Sequence, residues 1–400
     1  MTLVAEAGTA AAATVVQLAS RVGERLAAPA AADVDREGRF PAEAIAGLKE
    51  AGLLGALVPR ELGGLGASLG EVQLAVTELA KHCASTAMIF AMHQIQVACL
   101  VNHGRNEALR ELTREVAASQ LLLASATTEK GIGGDVRSSS CAVEIETVDG
   151  RPQFKLAKNA PVISYGLQAD AVLVTARRTP DSTPNDQVIV ACRTPGLQLH
   201  RTSTWSAMGM RGTCSDGFEL LAEGDPAQIV DDPYGEVSSK TMLPVSHILW
   251  AGVWLGVATA AVDKARAFVR LQARNAPGTT PSAAIRLAET YATLSQLRDV
   301  AHHSVTRYAA ALADPDQLDS LGFSLAMNTT KTQSTTLVVD VVNQALGVCG
   351  ILGYREDTPY SMGRILRDAH GGAVMVANDR ITANNAQLLL VHKGNCWTRE

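Results

Sequence analysis

The chain has 400 residues, above the usual size for one hydrophobic core, so two or three domains are expected. It is 47% hydrophobic, 19% charged and only 4% aromatic, which fits a soluble globular protein of largely helical make-up. The formal net charge is −5 and no long basic run occurs, which argues against a nucleic-acid partner.

In chain order, the Ala-rich start carries Glu6 early, with no basic segment before it and no compact apolar stretch after it. No secretory signal is expected there. From about Thr14 to Glu115 the pattern is helical. F-P-A-E-A-I-A-G-L-K-E-A-G-L-L, from Phe40, places Ile45, Leu48 and Leu53 at helical spacing, with Pro41 in the first turn and Gly52 at the end. P-R-E-L-G-G-L-G-A-S, from Pro59, is a loop. Further helices are expected from Leu69 and from about Ser85.

The texture changes near Leu121. C-A-V-E-I-E-T-V, A-V-L-V-T-A-R and Q-V-I-V-A-C-R alternate β-formers with polar residues, so an antiparallel β-unit of about a hundred residues is expected. D-D-P-Y-G-E, from Asp231, is its exit loop. Helical pattern resumes near Leu243, with interruptions at Ala276, Ala313 and Gly350. T-T-L-V-V-D-V-V-N, from Thr335, has strand propensity but helical neighbours on both sides, which favours a buried helix. The apolar run Ile248–Val262 would reach roughly 22 Å as a helix, short of a bilayer. It is a buried helix in which Gly252 and Gly256 admit a close neighbour. The expected domains are 1–120, helical, 121–235, β, and 236–400, a helical bundle.

The cysteines at 83, 99, 141, 192, 214, 349 and 396 are scattered and odd in number, without C-x-x-C. Neither a disulfide framework nor a metal site is expected, and the reading is cytoplasmic. His302 and His303 are adjacent on a helix, so their rings diverge by about 100° and do not chelate one metal. Arg137, Arg177 and Arg178 are expected on a solvated β-surface.

T-T-E-K-G-I-G-G-D-V, from Thr127, is a Gly-rich loop at the junction of helix and β-unit, where backbone N–H groups can approach an anion. It is neither a Rossmann fingerprint nor a P-loop. V-I-S-Y-G follows at Val162, W-S-A-M-G-M-R-G-T at Trp205, and G-I-L-G-Y…R-D-A from Gly350. In this order the motifs resemble those of the acyl-CoA dehydrogenase family along nearly the full length.

The resemblance implies an α+β, mainly α fold: an N-terminal helical domain, a central β-barrel and a C-terminal four-helix bundle. It implies FAD between the β-domain and the bundle, with FMN the alternative for a monooxygenase. Carried over by position, Thr127 and Thr128 line the flavin ring and Gly133 and Gly134 meet the pyrophosphate. Ser164 takes the place of a threonine that donates towards flavin N5, beside Ile163. Arg274 reaches a partner's FAD, and Asn378 stands near that phosphate. Departures are Lys130 for a proline, Gly134 for a serine, Val162 for a tryptophan and R-N-A-P-G for the family's R-x-x-F-G.

The family's E-G-T falls on Val376, Ala377 and Asn378, so the glutamate that removes the substrate proton is missing. A second base position used in the family falls on Ser246, next to His247. Substitute candidates are His370 and His93. His93 reads either as a hydrogen-bonded core residue or, as in flavin monooxygenases resembling dibenzothiophene monooxygenase, as a helper of flavin–oxygen chemistry. Asp379 is expected as an N-cap and Glu129 as structural.

The first expectation is FAD-dependent α,β-dehydrogenation of an acyl thioester, on acyl-CoA or another small molecule, in a homodimer or homotetramer, with an electron-transferring flavoprotein as acceptor. The alternatives are a reduced-flavin-dependent monooxygenase and a catalytically silent subunit of an active paralogue.

Overall fold

The computed structural model describes residues 14–132 and 137–394. Helices come first: α1 (Val15–Val22), α2 (Ala28–Glu37), α3 (Ala42–Glu50), α4 (Leu69–Ala80), α5 (Ala84–His103) and α6 (Glu107–Ser119). Their starts are written locally. Thr14 and Ser68 close capping boxes with Gln17 and Glu71, and the Asn106 side chain accepts from the Leu109 amide. Gly52, expected at a helix end, follows α3 at φ 72°, in the left-handed region.

The strands are β1 (Leu123–Ala126), β2 (Glu144–Val148), β3 (Arg151–Ile163), β4 (Ala171–Arg177), β5 (Gln187–Arg193), β6 (Leu197–Ser203) and β7 (Asp216–Gly224). They form two sheets, ordered β1-β4-β5 and β2-β3-β7-β6, which meet along β1–β3 and β5–β7. The expected antiparallel unit needs one correction: β1 pairs with β4 in parallel, Leu123 opposite Ala171. The β2–β3 hairpin intervenes between the two, so their link is a crossover and not a tight turn. Nor do β4 and β5 alternate. Ala171–Ala176 and Gln187–Cys192 are buried throughout, because helices α5 and α7 cover one side of this sheet system and β3 and β7 the other.

The exit segment from Asp231 also differs from expectation. It is already helical at α7 (Tyr234–Val237), and a π turn at Ser238–Met242 carries the chain into α8 (Leu243–Asn275). The carboxylates before it are held: Asp232 accepts from His103 Nδ1 at 2.7 Å and from Arg105 at 2.8 Å, and Asp231 accepts from the Arg105 amide. Then follow α9 (Ala283–Leu312), α10 (Pro315–Leu318), α11 (Leu321–Cys349), α12 (Ile351–Tyr354), α13 (Gly363–Val374) and α14 (Asn378–Val391). The β-branched segment from Thr335 is helical, inside α11.

Helices α8, α9 and α11 pack on one another, and α13 and α14 dock on α11. By length and composition α5 and the Tyr234–Asn275 helix are long and apolar enough to cross a bilayer, yet 89% of each apolar window is buried inside the protein. Gly252 and Gly256 do admit a close neighbour, which is α4. A Cβ on Gly256 would overlap the Thr77 carbonyl, and Thr77 Oγ1 donates to the Gly252 carbonyl at 3.0 Å. Gln73 Nε2 adds bonds to the carbonyls of Ile248 and Ala301 at 3.0 and 2.9 Å. The architecture is that of helical N- and C-terminal domains around a sheet domain, as the resemblance implied, with two sheets among the described residues in place of the closed barrel it named.

Candidate active site

At the end of β3, strand alternation sends Ile163 inward, fully buried, and leaves Val162 and Ser164 half-buried on the outer side. The segment 205–215 folds against this end. The Tyr165 amide donates to the Thr213 carbonyl at 2.8 Å, and its phenol donates to the Leu123 carbonyl at 2.9 Å. A chain of hydroxyls runs inward from Ser164: its Oγ lies 2.8 Å from Ser215 Oγ, which lies 2.8 Å from Thr213 Oγ1. Thr213 Oγ1 lies 2.9 Å from the Met210 carbonyl.

The backbone here is strained. Tyr165, Met210 and Cys214 have φ of 45°, 52° and 45°, and Val376 has 51°. Each costs about 1–2 kcal/mol in the left-handed region. These are four of the six non-glycine residues at positive φ among the described residues; the others, Gln120 and Asp149, occupy a helix end and a hairpin turn. Tyr165, Met210 and Cys214 share one hydrogen-bonded network, and strain gathered there marks a site whose geometry the rest of the fold enforces.

The same segment clamps α13. A Cβ on Gly209 would overlap the Arg367 carbonyl, the Met210 amide donates to Asp368 Oδ1 at 2.6 Å, and Arg367 Nε donates to the Met208 carbonyl at 3.1 Å. Burial pushes the Asp368 carboxyl up to about 6, against the pull of the Met210 amide. The L-G-M-R-G-like and R-D-A motifs, some 160 residues apart, are thus one structural unit.

Beyond α13 lies the turn that carries Val376, 46% exposed. Its carbonyl accepts from Lys331 Nζ at 2.6 Å, and the same ammonium donates to Asn378 Oδ1 at 2.7 Å. Lys331 is completely buried, which lowers its pKa to about 8. Trp250 and Trp254 lie one helical turn apart on α8, both buried. A Cβ on Gly372 of α13 would sit 3.1 Å from the Trp254 ring. Both indole N–H groups are buried without a hydrogen-bond partner.

The sequence-predicted residues fall as follows. The Thr127 hydroxyl is half-buried and makes no hydrogen bond among the described residues. Thr128 donates to the Val162 carbonyl at 2.9 Å, so its proton is already used. Gly133 and Gly134 lie outside the described residues. The Ile163 side chain is fully buried, facing the sheet core against Gly166. Arg274 is exposed at the end of α8. The Asn378 amide turns inward, donating one N–H to Thr335 Oγ1 at 3.1 Å while its Oδ1 accepts from Lys331.

Of the candidate bases, His93 is withdrawn. Its Nε2 bonds the Leu54 carbonyl at 2.8 Å and its Nδ1 accepts from the Leu123 amide at 3.0 Å. Both nitrogens are committed to backbone, and burial lowers its pKa to about 4, so it is a neutral strut between α5 and β1. His370 is exposed on α13, with no hydrogen bond to the described residues. Ser246 donates to the Met242 carbonyl at 2.5 Å, and its neighbour His247 to the Met327 carbonyl at 2.9 Å. Asp379 is not a cap: Ala377 holds the N-cap position of α14, without a side-chain bond. Arg177 is not simply solvated, since its guanidinium donates to the carbonyls of Pro180, Ser182 and Ser140. His302 and His303 are exposed.

Glu129 anchors the Gly-rich loop. It accepts from the hydroxyls of Ser139 and Ser140 and the amides of Ser140 and Cys141, and faces the buried Lys158 at 3.5 Å. Burial alone would raise its pKa; these bonds outweigh it and hold the carboxylate ionised. Sequence reasoning missed Lys331, the two tryptophans and the partners Ser215 and Thr213. For Lys331 a signal existed: it falls on the buried face of α11 with Met327, Ser334, Thr335 and Val338.

The chain matches the family models "Acyl-CoA dehydrogenase, N-terminal domain" over residues 9–120 and "Acyl-CoA dehydrogenase, C-terminal domain" over residues 235–382. It is 30% identical to L-evernosamine nitrososynthase of Micromonospora sp. over 378 residues, 90% of this chain and 86% of that protein. It is 28% identical to cyclohex-1-ene-1-carbonyl-CoA dehydrogenase of Geobacter metallireducens over 368 residues, 90% of this chain and 93% of that protein. FMN-bound dibenzothiophene monooxygenase of Paenibacillus sp. A11-2 shares the fold, with a TM-score of 0.81 at 19% identity over 96% of this chain and 99% of that one. With both terminal domains matched and a relative at 30% identity over nine-tenths of its length, this chain belongs to the acyl-CoA dehydrogenase family of flavin oxidoreductases.

Proposed function

We propose that the protein is a reduced-flavin-dependent oxygenase that acts on the amine nitrogen of a small polar substrate. The observation that carries this reading is the Val376 turn. α,β-Dehydrogenation needs a base within hydrogen-bond reach of the substrate α-carbon. Both positions that would hold it lack one: Val376 has no titratable group, and the Ser246 proton is bound to a carbonyl. Lys331 does not substitute, because it is fully buried and its ammonium is occupied by Val376 and Asn378. Oxygenation of an amine makes no such demand, since the nitrogen lone pair is itself the nucleophile.

The residues present fit a flavin. Thr127 offers an unused hydroxyl, Val162 an apolar face and Ser164 a polar atom, all three half-buried. When bound, the reduced flavin supplies the two electrons by which one oxygen atom of O2 passes to the substrate and the other leaves as water. The chain's part is positioning. Glu129 and Lys158 hold the Gly-rich loop, Asp368 fixes the 205–215 segment on α13, and the partnerless indole N–H of Trp250 is assigned to a substrate oxygen. Arg274, exposed at the end of α8, is assigned to the phosphate of a neighbouring subunit's cofactor. The substrate class follows the relative at 30% identity, whose name carries an amine, L-evernosamine.

The test uses the full chain loaded with FMN or FAD. Under oxygen-18, with reduced flavin regenerated by NADH and a flavin reductase, nucleotide-linked amino sugars should yield N-oxidised products containing the label. Anaerobic bleaching of the bound flavin by any of a panel of acyl-CoAs, without oxygen-dependent product from the amines, would return the dehydrogenase reading.

A further inference from the structure

We infer that His247 and Trp250 of α8 form a donor–acceptor pair that reads a hydroxyl group of the substrate: the Trp250 N–H donates to its oxygen, and His247 Nε2 accepts its proton. The inference rests on the amine-oxygenase reading above and narrows the substrate to a hydroxylated amine.

The state of His247 follows from a count of protons. Its Nδ1 lies 2.9 Å from the Met327 carbonyl, and a carbonyl only accepts, so Nδ1 carries the ring proton. Burial lowers the pKa to about 4, the Met327 bond pulls the other way, and the Lys331 charge adds to the lowering. The ring is therefore neutral near pH 7, and Nε2 presents a bare lone pair. No described residue meets that lone pair, although His247 is only 3% exposed.

This sets His247 apart. Three histidines are buried among the described residues. His93 commits both nitrogens to backbone, and His103 commits both to Asp232 and Thr241, at 2.7 and 2.8 Å. His247 alone of the three has a nitrogen left over.

The complementary group stands beside it. Trp250 follows three residues later, on the same face of the helix. The two ring centroids are 6.0 Å apart, tilted by 43°. The Trp250 N–H is buried and has no partner, so the two groups do not satisfy each other. An unpaired acceptor and an unpaired donor inside a protein are each costly. One oxygen that carries a proton meets both needs.

Other groups meet only one. A carbonyl or carboxylate oxygen would accept from Trp250 but set its lone pairs against Nε2. An ammonium would satisfy Nε2 and leave the indole unpaired. It would also face Lys331, a buried cation whose bonds go to neutral acceptors, the Val376 carbonyl and Asn378 Oδ1. A hydroxyl fits the pair. A water molecule fits by the same count, and the test separates the two.

The test measures binding to the full chain by calorimetry, without turnover. The probes are a nucleotide-linked amino sugar and its deoxyfluoro and deoxy counterparts, altered at one hydroxyl at a time. Fluorine keeps the size of the group and loses its proton. At one position wild type should bind the fluoro sugar roughly tenfold more weakly than the hydroxyl sugar, and the deoxy sugar more weakly still. In His247→Asn the new amide can still donate to Met327, but the Nε2 acceptor is gone. The hydroxyl-to-fluorine preference should then fall to about twofold or less. His247→Gln, whose side-chain oxygen reaches the Nε2 position, should restore most of it. Trp250→Phe should weaken hydroxyl and fluoro sugars together and leave their ratio. Circular dichroism confirms folding, and the wild-type series with Trp250→Phe carries the test if His247→Asn does not fold. Equal affinity for hydroxyl and fluoro sugars at every position, or a preference that survives in His247→Asn, assigns the pair to water and overturns the inference. Oxygen-18 product from the same sugars would then leave the oxygenase reading standing. Failure of every nucleotide-linked amino sugar to bind or react overturns that reading, and this inference with it.

Discussion

Lys331, in the middle of α11, donates its buried ammonium to the carbonyl of Val376 at 2.6 Å, 45 residues further along the chain. The bond fixes the turn between α13 and α14, at one of the two positions where the resemblance places a catalytic base. Replacing Lys331 by Met should loosen that turn with little effect on global stability, because the substitution removes a buried charge together with its bonds. Hydrogen exchange of the amides from Val376 to Arg380 should speed up about tenfold, roughly 1.4 kcal/mol of local opening. Unchanged exchange there would show that the lysine does not hold the turn.

Val376 is β-branched, at φ 51° and 46% exposed. Asparagine tolerates that conformation, and little apolar burial is lost. Val376→Asn should therefore stabilise the protein by about 1 kcal/mol, read as a shift of the urea midpoint at constant slope. Val376→Ile, which keeps the strain, should not.

Asp368 gives a pH signature. Its carboxyl is raised to about 6 in the fold, from 3.8. Between those values the folded state holds more protons than the unfolded one. The contribution to stability is full below about pH 4 and is lost as pH rises through 6. Asp368→Asn removes this loss and leaves an acceptor for the Met210 amide. From pH 4 to pH 7 the stability difference between variant and wild type should move in the variant's favour, by up to about 3 kcal/mol. Parallel curves for the two proteins would contradict the assignment.

Trp250 has a buried N–H without a partner. Trp250→Phe keeps most of the ring and deletes that donor. If the N–H meets substrate, KM should rise about five- to tenfold with kcat nearly unchanged, the loss of one hydrogen bond of about 1 kcal/mol. Thermal stability should not fall by more than the smaller ring explains. A KM equal to that of wild type would remove Trp250 from substrate recognition.

Gly209 tests the clamp between the sheet domain and α13. A Cβ there would overlap the Arg367 carbonyl, and backbone does not yield as a side chain can. Gly209→Ala should cost about 1–3 kcal/mol and weaken flavin binding, measured by chemical denaturation and by flavin titration. Full stability in the variant would mean that the segment moves freely.

The sequence by itself determined what is local. The capping boxes at Thr14 and Ser68 start their helices wherever the helices are later packed, and Gly52 ends one. Gly252 and Gly256 announced a close crossing before the neighbour was known to be α4. That position 376 carries no titratable group was legible because a residue type needs no coordinates. Tertiary structure decided the rest. The parallel pairing of β1 and β4 joins strands nearly fifty residues apart. His93 and Asn378 carry side chains able to do chemistry, yet each points its polar atoms into the protein. A residue type fixes which protons it can give or take, whereas the partners that claim them come from distant parts of the chain. For the same reason the partners of Lys331 and of the Ser164 hydroxyl were visible only in the folded protein.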